Sequence, residues 1–250
     1  PVWDTGLSCM ALAHSASPQD PAILRGLDWL ARRQLTNEPG DWRRDRPHLP
    51  GGGWPFQYRN DYYPDLDDTG LIAWAMTHVA PQRYQEQIRR AADWLVGMQC
   101  ANGGFAAFDV DNTYYYLNHV PFADHGALID PPTADVTARC VALFALLDGV
   151  RPAYRQAYER ALTYLRSVQE ADGCWYGRWG TNYIYGTWSV LSALSFTPVS
   201  RDDPMVRRAV IWLKARQRPD GGWGESNDSY AEPALAGQHE HGMAYQTAWA

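Results

Sequence analysis

The hydrophobic residues of the chain follow two alternating patterns, and both have the period of an α-helix. In the first pattern an apolar face repeats every three or four positions, as at Val206, Val210 and Leu213, while charged residues fill the opposite face. This pattern predicts an amphipathic helix with one side in solvent. In the second pattern, as in residues 71–76 and 140–146, the segment is apolar nearly all round. Such a helix must be buried on every side.

Each amphipathic segment belongs to a sequence repeat, which shows how the chain is organised. An aromatic residue is followed by Leu and, five positions after the aromatic residue, by Gln. The four aromatic residues and their Gln partners are Trp29 with Gln34, Trp94 with Gln99, Tyr164 with Gln169, and Trp212 with Gln217. A Gly-containing turn follows each Gln, and the turns that we assign end at Trp42, Phe105, Trp175 and Trp223.

Prolines predict where the amphipathic helices begin, because proline is favoured in the first helical turn. Asp20–Pro21 and Asp203–Pro204 have the N-cap and first-position residues of a helix, and Pro81 and Pro152 precede the other two repeats. The buried helices each carry a Thr near their start, namely Thr5, Thr69, Thr137, Thr187 and Thr247.

This alternation predicts an all-α fold, an α/α barrel in which an inner ring of buried helices is wrapped by an outer ring of amphipathic ones. Signals for β-strands are weak throughout the 250 residues. Five inner helices are visible, so we expect an incomplete six-fold toroid. The chain starts at Pro1 and stops within the apolar run 248–250, which favours a domain cut from a longer protein.

Composition argues against several classes of protein. The formal net charge of -6 disfavours nucleic-acid binding, which needs clustered Lys and Arg. The 4 Cys residues form no Cys-x-x-Cys pair, so neither a disulfide framework nor a zinc site is indicated. The Asp-x-Asp-Asn segment at Asp109 lacks the Gly and Glu of a calcium loop, and His239 and His241 have no evident third ligand. We therefore expect no metal and no cofactor.

The strongest candidate for chemistry is a loop with three carboxylates in four residues, directly before an apolar helix. Its carboxylates belong to Asp65, Asp67 and Asp68. Carboxylates this close cannot all ionise cheaply, so at least one is expected to stay protonated and to act as a general acid. The alternative is an acidic N-capping cluster without catalytic function.

A candidate partner for this acid cluster lies on a second apolar helix, where Arg139 follows Asp135 by one turn. A guanidinium on so apolar a helix needs a carboxylate, and the three Asp residues are the natural candidates. The chain also has 12 Trp and 15 Tyr, whose ring faces stabilise carbocations where water is excluded. An Asp-Asp-x-x-Asp motif for magnesium diphosphate is absent, so protonation is favoured over diphosphate ionisation.

These motifs resemble those of the squalene–hopene cyclase family. Residues 64–69 are similar to its Asp-x-Asp-Asp-Thr acid motif, and the four repeats are similar to the QW repeats of triterpene cyclases. The resemblance implies that residues 1–250 are most of the catalytic α/α barrel domain, without the other barrel domain and the last helices. It implies that Asp67 protonates the terminal double bond of squalene. The supporting residues that it implies are Asp65 and Asp68, with Asp135 and Arg139 tuning the acid.

The resemblance also implies a substrate-binding set of aromatic residues and several partners. The set consists of Trp3, Phe56, Phe108, Phe122, Trp179, Tyr183 and Tyr185. Where some family members have His, this chain has Arg139, so the cation beside the acid is permanent. The implied partners are squalene, a membrane surface and a second copy in a homodimer. The implied location of the full-length protein is monotopic, on the cytoplasmic face of the cell membrane.

Other functions stay open at this point. A tetraprenyl-curcumene-type or onoceroid-type cyclase would carry the same acid motif. A glycoside hydrolase on the same barrel would use the Asp cluster as its acid and Trp faces as sugar platforms, and it would need a second carboxylate across a polar groove. A non-catalytic helical-repeat module would instead present a polar concave face.

Overall fold

The computed structural model describes residues 1–17, 19–120 and 128–250, and its regular structure is almost entirely helical. The α-helices of these residues are Val2–Ser15 (α1), Pro21–Ala31 (α2), Leu66–Val79 (α3), Gln85–Met98 (α4), Ala134–Leu146 (α5), Pro152–Ser167 (α6), Tyr183–Leu194 (α7), Pro204–Ala215 (α8) and Ala244–Trp249 (α9). Two short strands, Trp54–Pro55 (β1) and Pro64–Asp65 (β2), pair antiparallel before α3. Short 3-10 turns occupy Asp41–Arg44, Tyr115–His119, Asn227–Tyr230 and Pro233–Leu235.

The helices alternate between an inner and an outer layer. The inner helices α1, α3, α5, α7 and α9 pack side by side in chain order. Each of the outer helices α2, α4, α6 and α8 packs against the inner helix that precedes it. The prediction of an all-α, two-layer fold is therefore confirmed, and the inner helices of the described residues form an open arc.

The prediction that all the inner helices are buried on every side is correct only for the middle of the arc. α3 and α5 are buried along most of their length. By contrast, α1 buries only Val2, Gly6, Cys9 and Met10, and α9 buries only Gln246. The reason is that each of these two helices packs mainly against one inner neighbour, α3 or α7, in the described residues.

The starts of the outer helices follow local capping chemistry. The side chains of Asp20 and Asp203 each accept the backbone N–H two residues later, at 2.7 Å and 2.9 Å, so both predicted N-caps are confirmed. α6 begins at Pro152 as predicted. α4 begins at Gln85 rather than at Pro81, because residues 81–84 form a hydrogen-bonded turn.

The repeated Gln side chains join one repeat to the next. Gln99 Nε2 donates to the carbonyl of Gly103 in its own turn at 2.8 Å and to the carbonyl of Ala157 on α6 at 2.9 Å. The same pair of contacts links Gln34 to Gly52 and Gln87, and Gln169 to Gly173 and Met205. Through these hydrogen bonds, the Gln of a repeat joins its own helix pair to the next one.

The first repeat departs from the predicted turn. Gln34 donates to Gly52, so its turn ends at Trp54, and the prediction of Trp42 was wrong. The backbone N–H of Trp54 donates to Thr69 Oγ1 at 2.9 Å. The same bond joins Phe105 to Thr137, Trp175 to Thr187, and Trp223 to Thr247. Residues 35–51 are an insertion in which Pro39-Gly40-Asp41-Trp42 imitates the turn of the repeat.

The main apolar core lies between the two layers and extends from α1 to the start of α8. A smaller apolar cluster, which includes Tyr183 and Trp212, lies between α7 and α8. Among the residues that the structure describes, no helix is both long enough and apolar enough to cross a membrane.

Candidate active site

The three Asp residues of the acid cluster lie where β2 ends and α3 begins, and all three are buried. Asp65 is the N-cap of α3, and its Oδ1 accepts the backbone N–H of Asp67 at 2.7 Å and of Asp68 at 3.2 Å. Thr69 Oγ1 donates to the Asp65 carbonyl at 2.6 Å and so fixes the same turn. The Asp65 side chain therefore caps α3, and the carboxyl groups of Asp67 and Asp68 take no part in this cap.

Arg139 of α5 is the cation that the sequence predicted beside this cluster. Its Nε lies 2.9 Å from Asp67 Oδ1, and both side chains are buried. Its Nη2 donates to Tyr185 Oη at 3.1 Å. Its guanidinium carbon lies 5.3 Å from the ring centre of Trp3 and 5.8 Å from that of Trp188. The fold thus brings residues from α1, α3, α5 and α7 to one place.

Burial raises the pKa of all three carboxyl groups in the cluster. It raises the pKa of Asp67 to about 6, against the charge of Arg139, which lowers it. Burial, with the charges of Asp65 and Asp67, raises the pKa of Asp68 to about 9. Burial and the charge of Asp67 hold the pKa of Asp65 well above its ordinary value. Asp68 therefore keeps its proton at neutral pH, and the protonated form of Asp67 is populated in mildly acidic solution.

Asp135 is buried at the start of α5, and its hydrogen bonds hold a loop. Its Oδ2 accepts the backbone N–H of Arg178 at 3.1 Å and of Trp179 at 3.0 Å. Its negative charge also raises the pKa of Asp67. Asp135 therefore acts on the acid through its charge and on Trp179 through direct contacts.

The other predicted aromatic residues are spread over several places. The rings of Phe108 and Trp179 meet edge to face with centres 6.1 Å apart. Phe56 lies in the loop between the two strands and is 43% exposed. Tyr183 packs in the cluster between α7 and α8, away from the group around Arg139. Phe122 lies outside the described residues.

Two tryptophans that the sequence analysis missed extend the aromatic group around Arg139. The ring of Trp188 stacks on that of Trp249, with centres 5.5 Å apart and planes inclined by 21°. Trp249 also lies 5.2 Å from Tyr185. Trp188 follows Tyr185 by three residues on α7, and this helical spacing is a signal that could have identified it.

The carboxyl groups of the acid cluster are not arranged to bind a metal ion. Within residues 1–17, 19–120 and 128–250, no three His, Cys, Asp or Glu side chains are placed to hold one ion. His239 Nδ1 accepts the backbone N–H of His241 at 3.0 Å. The four Cys residues are buried free thiols.

Solved structures that resemble this fold include type II terpene cyclases. MstE from Scytonema, in its apo form, matches 99% of this chain and 61% of its own, with a TM-score of 0.63 and 23% sequence identity. At this identity the likeness shows the fold, and it identifies the two layers as part of an α/α barrel.

Sequence comparison shows the family. Residues 1–250 match the model of the squalene-hopene cyclase C-terminal domain. The chain is 49% identical to the probable squalene–hopene cyclase of Sinorhizobium fredii and 48% identical to the squalene–hopene cyclase of Bradyrhizobium diazoefficiens. These matches cover 100% of this chain but only 39% and 38% of the relatives. The chain belongs to the squalene–hopene cyclase C-terminal domain family, which argues against the glycoside hydrolase alternative.

Proposed function

We propose that this chain is most of the catalytic domain of a squalene–hopene cyclase, which cyclises squalene to hopene or hopanol after protonating it. The observation that carries the proposal is the buried pair of Asp67 and Arg139 beside Asp68, in a chain of this family. An acid out of contact with water and next to a fixed cation is suited to protonate an unreactive double bond.

Asp67 is the proposed proton donor. Its pKa of about 6 makes it a stronger acid than Asp68, whose pKa is about 9, yet leaves its protonated form available at mildly acidic pH. The O–H bond of Asp67 breaks as a C–H bond forms at the terminal double bond of squalene. The carboxylate that remains is stabilised by Arg139, 2.9 Å away. Asp65 supports this step by fixing the backbone of Asp67.

Aromatic faces are proposed to stabilise the carbocations that follow. Trp3 and Tyr185 already lie against Arg139, and Phe108 and Trp179 form a second aromatic pair. Rings attract cations strongly where water is excluded. The last cation either loses a proton, which gives hopene, or adds water and loses a proton, which gives hopanol.

Asp67→Asn in the full-length protein tests the acid. We expect it to abolish product formation and leave the fold intact, because an amide cannot protonate an alkene. The measurement is gas chromatography of the triterpenes formed from squalene. Asp61→Asn, which changes an exposed carboxyl group, is the matched control and should keep wild-type activity. Substantial hopene formation by the Asp67→Asn variant would contradict the assignment of Asp67 as the acid. If the wild-type protein forms a terpenoid other than hopene or hopanol, another class II cyclase is indicated.

We also propose that the full-length protein is a homodimer bound to the cytoplasmic face of the cell membrane, where its lipid substrate is dissolved. In support, Tyr114, Tyr115 and Tyr116 are 59%, 59% and 69% exposed, and tyrosine is favoured at membrane interfaces. Replacing the three by Ser is expected to weaken sedimentation with phospholipid vesicles. Unchanged vesicle binding would show that these tyrosines do not contact the membrane. Light scattering of the full-length protein in detergent measures whether it is a dimer.

A further inference from the structure

α7 receives its N-terminal cap from a distant part of the chain. Its own N-cap residue, Asn182, makes no side-chain capping bond. Glu225, in the segment after α8, supplies the acceptors instead. Its Oε2 accepts the backbone N–H of Asn182 at 3.1 Å and of Ile184 at 2.8 Å, and its Oε1 accepts that of Tyr183 at 3.1 Å. One carboxylate thus binds three N–H groups that a helix start leaves without partners.

Glu225 is buried and is held in place by α9. Glu225 is only 2% exposed to solvent. Its backbone N–H donates to Gln246 Oε1 at 2.7 Å, and Gln246 Nε2 donates to the Thr181 carbonyl at 3.1 Å. The positive end of the α7 dipole and the three N–H groups stabilise the buried charge. The position of the first turn of α7 therefore depends on Glu225.

The first turn of α7 carries Tyr185, which contacts the same guanidinium group, that of Arg139, as Asp67 does. Tyr185 Oη accepts a hydrogen bond from Arg139 Nη2 at 3.1 Å, while Arg139 Nε lies 2.9 Å from Asp67. We propose that Glu225 is a positioning residue for the catalytic acid, because it fixes the start of α7 and so keeps the Tyr185 hydroxyl on Arg139. The inference rests on the proposed function of Asp67.

Loss of this contact has a defined electrostatic consequence. A guanidinium that loses the Tyr185 acceptor pairs more strongly with Asp67, and a stronger pair lowers the pKa of Asp67. The charged and titratable groups that act on Asp67, or are acted on by it, are Arg139, Asp135 and Cys140 from α5, Tyr185 from α7, and Asp65 and Asp68 beside it. The protonated form of Asp67 is then lost at a lower pH.

Glu225→Gln in the full-length protein tests the proposal, because the amide keeps one acceptor oxygen but places an NH2 group, which cannot accept, where the other oxygen binds α7. We expect kcat with squalene to fall about 10- to 100-fold, as for a small misplacement of a catalytic group. We also expect the alkaline limb of the pH–rate profile to move to lower pH. Glu232→Gln, an exposed residue of the same segment, is the matched control and should change neither quantity.

A double-mutant cycle separates positioning from a general structural effect. Tyr185→Phe removes the hydroxyl that Glu225 is proposed to position, so Glu225→Gln should shift the pH limb little further in that background. An equal shift in both backgrounds would overturn the proposal, as would wild-type kinetics for Glu225→Gln. Glu225→Asp keeps the charge and should recover part of the rate. It replaces Glu225→Gln in the cycle if the Gln variant does not fold.

A readout without substrate distinguishes this inference from the proposed function. If the wild-type protein forms no terpenoid from squalene, the proposed function fails. A crystal structure of the Glu225→Gln variant then decides the positioning role by itself. Separation of Tyr185 Oη from Arg139 Nη2 supports it, and an unchanged contact of 3.1 Å overturns it.

Discussion

Asp67 and Asp68 are adjacent in the sequence, but their carboxyl groups have different surroundings. Asp67 contacts Arg139, whose charge holds its pKa at about 6 against burial. Asp68 is also buried and feels the charges of Asp65 and Asp67, so its pKa rises to about 9. One residue is therefore suited to give up a proton and the next to keep it, and a contact across two helices makes the difference.

Asp68→Asn is expected to stabilise the protein at alkaline pH. The pKa of Asp68 in the folded state, about 9, lies above its ordinary value of 3.8. Between these values the folded state holds a proton that the unfolded state has released, so stability falls as pH rises. Asn imitates the protonated carboxyl group and removes this loss, so the Tm should rise at about pH 8 and change little at about pH 4.

Thermal unfolding of wild type and Asp68→Asn over this pH range is the measurement. Asp61→Asn, at an exposed position, should leave the Tm unchanged throughout. A gain in Tm that is the same at acid and alkaline pH would show that the charge of Asp68 does not cause it.

At the scale of the helices, α3 and α7 are capped in two different ways, and only the cap of α3 could be predicted from the sequence. α3 is capped by Asp65, which precedes it directly, and the motif is readable from adjacent residues. α7 is capped by Glu225, which follows the start of α7 by more than 40 residues, as the bonds to residues 182–184 show. Spacing along the chain carries no signal for the second kind of cap.

The Gln residues of the repeats provide a prediction at this scale. Gln99→Ala leaves the carbonyls of Gly103 and Ala157 without their buried donor, and it is expected to cost about 1–3 kcal/mol of unfolding free energy. Gln217→Ala is the matched control, because Gln217 is exposed and donates to Gly221 at 3.0 Å. It should cost at most about 1 kcal/mol. Urea denaturation of both variants checks this, and equal losses would show that burial of the Gln is unimportant.

At the scale of the whole molecule, ion pairs join an outer helix to the residues just before the next outer helix. Asp28 accepts hydrogen bonds from Arg83 at 2.6 Å and Tyr84 at 2.8 Å. Asp93, at the same position of the next repeat, contacts Arg151 and Tyr154 in the same way. The fourth repeat has Ile211 at this position, 64% exposed, on the edge of a cavity of about 630 Å³ between α7 and α8. This position of the repeat therefore changes from an ion-paired Asp in the first two repeats to an exposed apolar residue in the fourth.

Sequence patterns alone were enough to predict the alternation of buried and amphipathic helices, the repeats and the acid motif. These features depend on the spacing of nearby residues, and the periodicity of a helix makes that spacing readable. The same local motifs were sufficient to identify the family, which the comparison over residues 1–250 confirmed. The sequence also predicted that Arg139 pairs with a carboxylate, because a cation on so apolar a helix must be paired.

Which distant residues meet could be learned only from the packing of the helices. It showed that Trp54, and not Trp42, completes the first repeat, because the hydrogen bonds of Gln34 and Thr69 cross an insertion whose length the repeat does not specify. It also placed Tyr183 between α7 and α8 and brought Glu225 to the start of α7. These outcomes depend on how the helices pack, and contacts between residues far apart in the chain leave no periodic trace in the sequence.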